Sequence, residues 1–287
     1  MIDVLILNYN DADTTVSLLN KIVDFQNIER ICVVDNSSTD NSFEVLKKFR
    51  HEKVCVIDSG KNGGYGYGNN FGIRFMIKEY NSKYILLCNP DVIFDDETVL
   101  TLESFLKSHE GYIIAAPFML NKERVRQSST AFSVDNCFKY ILSTGMIMSK
   151  IIKPDQYQDL HKRNDEYIDV GAVAGSLFLF DAEKMLLHGM YDENIFLYCE
   201  ERVLGIKCKN AGYRIALLPN ITYIHNHSVS INKILKSEIA KRRIMNRSRL
   251  YVIKEYYKAN FLTLGIAKLF LGISILELSI LSIIRNK

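Results

Sequence analysis

Short apolar runs rich in β-branched residues recur along the first 116 positions: Val4–Leu7, Ile31–Val34, Val54–Ile57, Tyr84–Cys88 and Tyr112–Ala116. The segments between them repeat apolar residues at helical spacing. Val16, Leu19, Ile22 and Val23 share one face, as do Phe43, Leu46 and Phe49 in the next segment. Ile73, Met76, Ile77 and Tyr80 make a third face, and Val99, Leu102, Phe105 and Leu106 a fourth. Asn41 followed by Glu44 has the spacing of a capping box at the start of the second helix. Such alternation predicts an α/β domain: a mostly parallel central sheet with helices on both faces. Sheets of this kind bind ligands beyond the carboxyl ends of their strands. Functional residues are therefore expected directly after each apolar run.

Polar or glycine-rich turns stand at those places. The first run is followed by "NYN", Asn8 to Asn10; the second by "DNSSTD", Asp35 to Asp40. The third leads into "SGKNGGYGYGNNFG" and the fourth into "NPD", Asn89 to Asp91. One such turn would mean little, but a series on one sheet edge predicts a site. The glycine-rich turn is not a dinucleotide fingerprint, because G-x-G-x-x-G fails at Asn69 and at Phe71. It also follows the third strand, not the first, which argues against a dehydrogenase. Its glycines let backbone approach a ligand, and Asn69 and Asn70 are expected to lead into a helix whose first amides favour anions. Asp35 is placed to accept hydrogen bonds from a base or ribose, or to cap the next helix, a task that suits Asp40 better. Tyr9 offers a ring for a nucleobase. Asp91, stiffened by Pro90, suits a hard divalent cation that bridges diphosphate oxygens.

In order, "LNYN", "VVDNSSTD", "KNGGYGYGNNFG" and "LLCNPDVIF" closely resemble the family 2 glycosyltransferases of GT-A fold, particularly the rhamnosyltransferase-like branch of bacterial surface polysaccharide synthesis. "VGAVAGSLFLF", "GMYDENIFLYCEERVLGIKCKNAGYRI" and "LPNITYIHNHSVS" continue the likeness to Ser230. The resemblance implies a GT-A catalytic domain over 1–230, with a nucleotide-binding half over about 1–116 and an acceptor half over 117–230. It implies inverting transfer of a sugar from a UDP- or dTDP-type donor to a lipid-linked or glycan acceptor, with Mg2+ or Mn2+. By the same resemblance the donor contacts are Asn8, Tyr9, Asp35, Asn62, Gly63, Asn69, Asn70, Asn89 and Asp91. Asp91 and His225 are implied at the metal, with His227 close enough to exchange roles with His225. Asn89 stands where the family's turn has a first carboxylate. Glu200 and Glu201 match the family's acidic pair at the start of a helix that ends near Gly212. Glu201 matches the general base, and Glu200 as base with Glu201 structural is the open alternative. Val203 replaces a second aspartate of the family. Gly171, Ala172, Gly175 and Ser176 suit a ligand wall or tight packing, and "RVRQSSTAF" brings Arg124, Arg126 and Gln127 as acceptor-side candidates. The competing readings are a sugar nucleotidyltransferase and a degenerate, non-catalytic membrane-bound partner.

Charge is uneven along the chain. Lys233–Lys258 carries nine Lys/Arg against two Asp/Glu, in a chain whose net charge is only +3. The apolar stretch Phe261–Ile284 follows at once, about 36 Å long as a helix and interrupted by Lys268 and Glu277. Residues 231–287 are thus expected to form a helical tail held at a membrane by its basic segment; a spanning helix and an oligomer-forming helix are the alternatives. The six cysteines are dispersed without CxxC spacing, which fits a reducing compartment better than disulfides or zinc. The chain opens directly on "IDVLIL", so no signal peptide is expected. A cytoplasmic enzyme on the inner face of the plasma membrane, possible as a homo-oligomer and without nucleic-acid partners, is the combined expectation.

Overall fold

The computed structural model describes residues 1–134, 136–145, 147, 157, 160–163, 165–226 and 237–285. The predicted apolar runs form strands β1 (Ile2–Asn8), β2 (Ile28–Asp35), β3 (Val54–Asp58), β4 (Tyr84–Cys88) and β6 (Tyr112–Leu120); β5 is Val92–Ile93. The later strands are β7 (Ala131–Phe132), β8 (Ile168–Val170), β9 (Ala172–Val173), β10 (Leu177–Asp181) and β11 (Arg214–His225). Among the described residues nine strands make one sheet in the order β3-β2-β1-β4-β10-β6-β11-β5, with β8 beside β11. β1 to β4, β6 and β11 point one way, while β5, β8 and β10 run against them.

Both faces of the sheet are buried, and side-chain alternation decides which core each residue joins. Val4 and Ile6 pack with Leu18, Leu19, Ile22, Val99 and Leu102, from the helices Ala12–Ile22 and Asp96–Ser108. Leu5 points the other way, to Ile73 and Met76 of the helix Tyr65–Tyr80 and into the cluster that holds Leu204 of the helix Glu200–Asn210. A third cluster joins Val203 and Ile206 of that helix to Val252 and Ile253 of the helix Glu238–Glu255 and to Ala267 of the helix Phe261–Arg285.

Two local expectations are corrected. Asn41 precedes the helix Ser42–Lys47 but makes no side-chain cap bond; Asp40 Oδ1 accepts from the Ser42 amide at 2.8 Å instead. The glycine-rich helix begins at Tyr65, so Asn69 and Asn70 lie in its second turn and not ahead of it. Gly64, at φ +94°, turns the chain into that helix.

The order matters for function. From β1 the chain steps outward to β2 and β3, then returns to place β4 on the other side of β1. The crevice between the carboxyl ends of β1 and β4 is the topological switch point where such sheets bind ligands. β10 lies antiparallel beside β4, so it is its first residues that reach the same edge.

Gly205 sets the acidic helix against the sheet. A Cβ there would stand 2.2 Å from the Gly171 carbonyl oxygen, a backbone atom that cannot swing aside. Gly205→Ala is expected to destabilise the fold by about 2 kcal/mol through overpacking, read as a lower urea midpoint with an unchanged slope.

Candidate active site

A cavity of about 490 Å3 opens at the switch point. Of the residues expected there, Tyr9, Asn62, Asn89, Asp91, Glu200, Glu201 and His225 line it. Asn8, Asp35, Gly63, Asn69 and Asn70 do not, and each has a physical reason. Asn8 is fully buried and donates to Asp35 Oδ2 at 2.8 Å while accepting from Thr15 Oγ1. Asp35 also accepts from the Ser38 amide and hydroxyl, both at 2.7 Å, so its carboxylate is satisfied within the protein. Asn70 bonds both the amide and the carbonyl of Tyr191, fastening the glycine-rich helix to the loop after Gly189. Asn69 turns back to the Tyr65 carbonyl. Gly63 sits against the Tyr67 ring, and its neighbour Gly64 takes the cavity wall.

Sheet register brings together Asp91 and His225. β5 pairs antiparallel with the end of β11, His225 opposite Val92, and the Asn226 amide donates to the Asp91 carbonyl at 3.0 Å. The two side chains then meet with His225 Nε2 3.2 Å from Asp91 Oδ1, both largely buried. His227 lies outside the described residues. Asn89 joins the same wall, its amide bonded to the Ser176 carbonyl at 2.8 Å. Among the described residues no group of three or more His, Cys, Asp or Glu gathers at one point. A carboxylate and an imidazole in contact, with Asn89 in the same cavity lining, would nevertheless suit a hard divalent cation.

Glu200 and Glu201, which also line the cavity, open their helix. The turn that delivers them is strained: Tyr198 and Cys199 are left-handed, at φ 72° and 73°, a conformation that costs non-glycine residues about 1 kcal/mol or more each. Several bonds hold it. The Phe196 carbonyl accepts from the Tyr65 amide at 3.1 Å, and the Leu197 carbonyl accepts from Ser248 Oγ at 2.7 Å. Asp192, at the head of the loop, accepts from the hydroxyls of Tyr251 and Tyr256 at 2.9 and 2.7 Å. The helix Glu238–Glu255 therefore braces the loop at both ends.

Burial, and then the charge of Glu201, push the Glu200 carboxyl up from about 4.5 to about 8. Its Oε1 is buried, with no hydrogen-bond partner among the described residues. Burial also raises Glu201, but backbone amides at its own position and at Gly175 pull the other way. Desolvation outweighs the helix N-terminus, which by itself favours negative charge. Burial thus favours a shared proton on the pair, and Glu201 is the more exposed of the two side chains.

Val203 is buried among Val134, Tyr140, Ile195 and Ile206, so its side chain belongs to packing and not to the cavity. The small residues of "VGAVAGS" divide: Gly175 and Ser176 line the cavity, whereas Gly171 lies under Gly205. Arg126 donates to the Pro219 carbonyl at 2.8 Å and stacks over Phe118, and none of Arg124, Arg126 and Gln127 lines the cavity. Sequence reasoning missed Tyr65, whose hydroxyl donates to the Gly175 carbonyl at 2.6 Å, and the wall formed by Phe132, Phe196 and Tyr198. Only the aromatic content of "NIFLY" hinted at that wall.

A largely parallel sheet in this order, with an acidic pair, a carboxylate and a histidine lining one cavity at its switch point, is the GT-A architecture of sugar transferases. A mannosyltransferase from Pyrobaculum calidifontis, solved with GDP-Man and Mn2+, shares the fold at TM-score 0.59, with 12% identity over 96% of this chain and 70% of its own. Residues 3–168 match glycosyl transferase family 2, and the chain belongs to that family. Its relatives include the low-salt glycan biosynthesis hexosyltransferase Agl10 of Haloferax volcanii, 26% identical over 79% of this chain and 68% of that protein. The rhamnosyltransferase WbbL of Escherichia coli is 25% identical over 78% of this chain and 83% of its own.

Glu200 links the site to stability. It keeps its proton to about pH 8 when folded and would lose it near its ordinary value when unfolded. Folding therefore takes up a proton between those values, and this contribution to stability falls as pH rises from about 4.5 to about 8. Glu200→Gln removes Glu200's share of the dependence: it should match the native chain near pH 4 and exceed it by up to about 5 kcal/mol near pH 9, measured by urea unfolding across pH.

Proposed function

We propose that this glycosyltransferase moves a sugar, with inversion, from a UDP- or dTDP-type nucleotide sugar to a hydroxyl of a lipid-linked or polysaccharide acceptor. Bacterial cell-surface glycan synthesis is the proposed setting. The observation that carries the reading is convergence on one cavity. Asp91 and His225 stand on one wall, Glu200 and Glu201 line the same space, and all come from separated parts of the chain. The relatives named for hexosyl and rhamnosyl transfer support the sugar chemistry, and six free thiols suit a cytoplasmic enzyme.

Tyr9 and Asn62 lie where the nucleoside end would enter, backed by the Asn8–Asp35 bond that holds the ends of β1 and β2 together. Asp91 and His225, with Asn89 nearby, would hold Mg2+ or Mn2+, which when bound offsets the negative charge of a nucleoside diphosphate leaving group. Glu201 takes the proton of the acceptor hydroxyl as its oxygen bonds to the anomeric carbon. The bond from that carbon to the diphosphate oxygen breaks, and the electron pair leaves with the nucleoside diphosphate. Glu200, kept protonated by burial, spares Glu201 a second adjacent charge. Phe132, Phe196 and Tyr198 offer apolar faces to the acceptor's sugar rings.

Glu201→Gln is expected to lower turnover by about 10²- to 10⁴-fold, the usual worth of a general base, while leaving donor-induced thermal stabilisation intact. Asp91→Asn should instead weaken the stabilisation by donor that depends on added Mn2+. A panel of nucleotide sugars screened by thermal shift, followed by product analysis, tests both. Release of pyrophosphate in place of a nucleoside diphosphate, or full turnover by Glu201→Gln, would overturn the reading.

A further inference from the structure

The two C-terminal helices form a hairpin with one face settled and one face open. Asn246, buried in the first helix, donates to the Leu271 carbonyl at 2.9 Å and to Ser274 Oγ at 3.0 Å in the second. Ala267, Leu271 and Ser274 make the settled face and are buried. The opposite side of Phe261–Arg285 carries Leu262, Ile266, Leu269, Ile273, Leu276 and Ile280 at helical spacing, with Leu262 74% and Leu269 62% exposed. An apolar stripe this continuous marks an interaction surface.

We propose that this stripe lies in the plane of an anionic bilayer surface, as an interfacial helix and not a spanning one. Phe261–Ser282 is long and apolar enough to cross a membrane by length and composition. Crossing, however, would strip the helix from Asn246, and would carry Lys268 and Glu277 into hydrocarbon. Glu277 is occupied on the protein side, within the field of Arg242 and near the Ile147 amide. Lying flat keeps those contacts and buries only the open stripe.

Charge identifies the partner. Arg243, Arg247 and Lys254 are exposed on one face of the helix Glu238–Glu255, and Lys258 is exposed just beyond it. With the stripe sunk to the acyl boundary, the first helix, packed about 10 Å away, sits at headgroup level and brings these cations to lipid phosphates. A second copy of the chain fits less well, because a two-fold contact through the stripe would face the same cationic flank with itself. The inference concerns a surface separate from the cavity and does not depend on the transfer chemistry.

Vesicle flotation of the full chain tests it, with pure phosphatidylcholine against phosphatidylcholine containing phosphatidylglycerol. Binding is expected on the anionic vesicles and should weaken with salt. Arg243→Gln with Arg247→Gln should reduce it on the order of 30-fold. Leu269→Glu and Leu276→Glu, both at exposed positions, should each reduce it at least about tenfold without lowering the melting temperature. Alkaline carbonate should release the bound protein. Resistance to carbonate would mean a spanning helix and overturn the inference. So would equal binding to neutral vesicles, or a lipid-indifferent dimer that Leu269→Glu dissociates.

Discussion

A sheet buried on both faces leaves polar side chains almost no place but the ends of its strands. Val4 and Ile6 enter one core and Leu5 the other, so the middle of β1 is apolar and its carboxyl end turns polar at Asn8, where the chain leaves the sheet. The apolar run of β2 likewise ends at Asp35, and Asn89 directly follows the apolar strand β4. Buried polar groups must still find partners, and the last residues of neighbouring strands find each other. Asn8 bonds Asp35, and Asn36 bonds Asn62 and the Gly64 carbonyl. This first row makes the rim of the sheet rigid. The row beyond it, Tyr9, Asn62 and Asp91, lines the cavity.

That division explains what could be read from the sequence. Apolar runs and helical spacing located the first strands and helices, and the polar turns marked the edge that holds the cavity. The pattern could not tell an inward from an outward neighbour, because one step along an extended chain reverses the side chain. Asp35 and Asn8 were therefore expected at the ligand and are instead turned into the protein. Asn69 and Asn70 were misplaced for a different reason: the glycines hide the start of their helix, which tight contacts set at Tyr65. The Asp91–His225 pairing rests on the register of β5 with β11. Such non-local pairing leaves no mark in composition or periodicity, and motif resemblance alone pointed to His225.

The acidic pair shows how the local and non-local parts cooperate. Two adjacent carboxylates at a helix N-terminus would ordinarily be an exposed, dipole-stabilised feature. Here Tyr198 and Cys199 adopt left-handed conformations that tip the helix start into the cavity, and burial reverses the usual direction of the carboxyl shift. Gly175 completes the arrangement by lying so close that any side chain there would meet Glu201. A strained turn persists only where its surroundings over-determine it.

Those surroundings are largely the C-terminal helices. Ser248 and the Tyr251 and Tyr256 hydroxyls hold the loop that carries the strain, and Arg202, one residue past the acidic pair, reaches the Tyr257 hydroxyl at 2.9 Å. The segment that looked from sequence like an attached tail thus shares a hydrophobic cluster with the acidic helix. It follows that the outer stripe and the cavity are joined by one short mechanical path: a helix fixed on its inner side to the loop before Glu200 and on its outer side to the apolar helix. Whatever covers the stripe limits how far that hairpin can move, and so how readily the strained turn can relax. An acidic pair placed by strain needs a stiff support, and the hairpin is the element positioned to supply it.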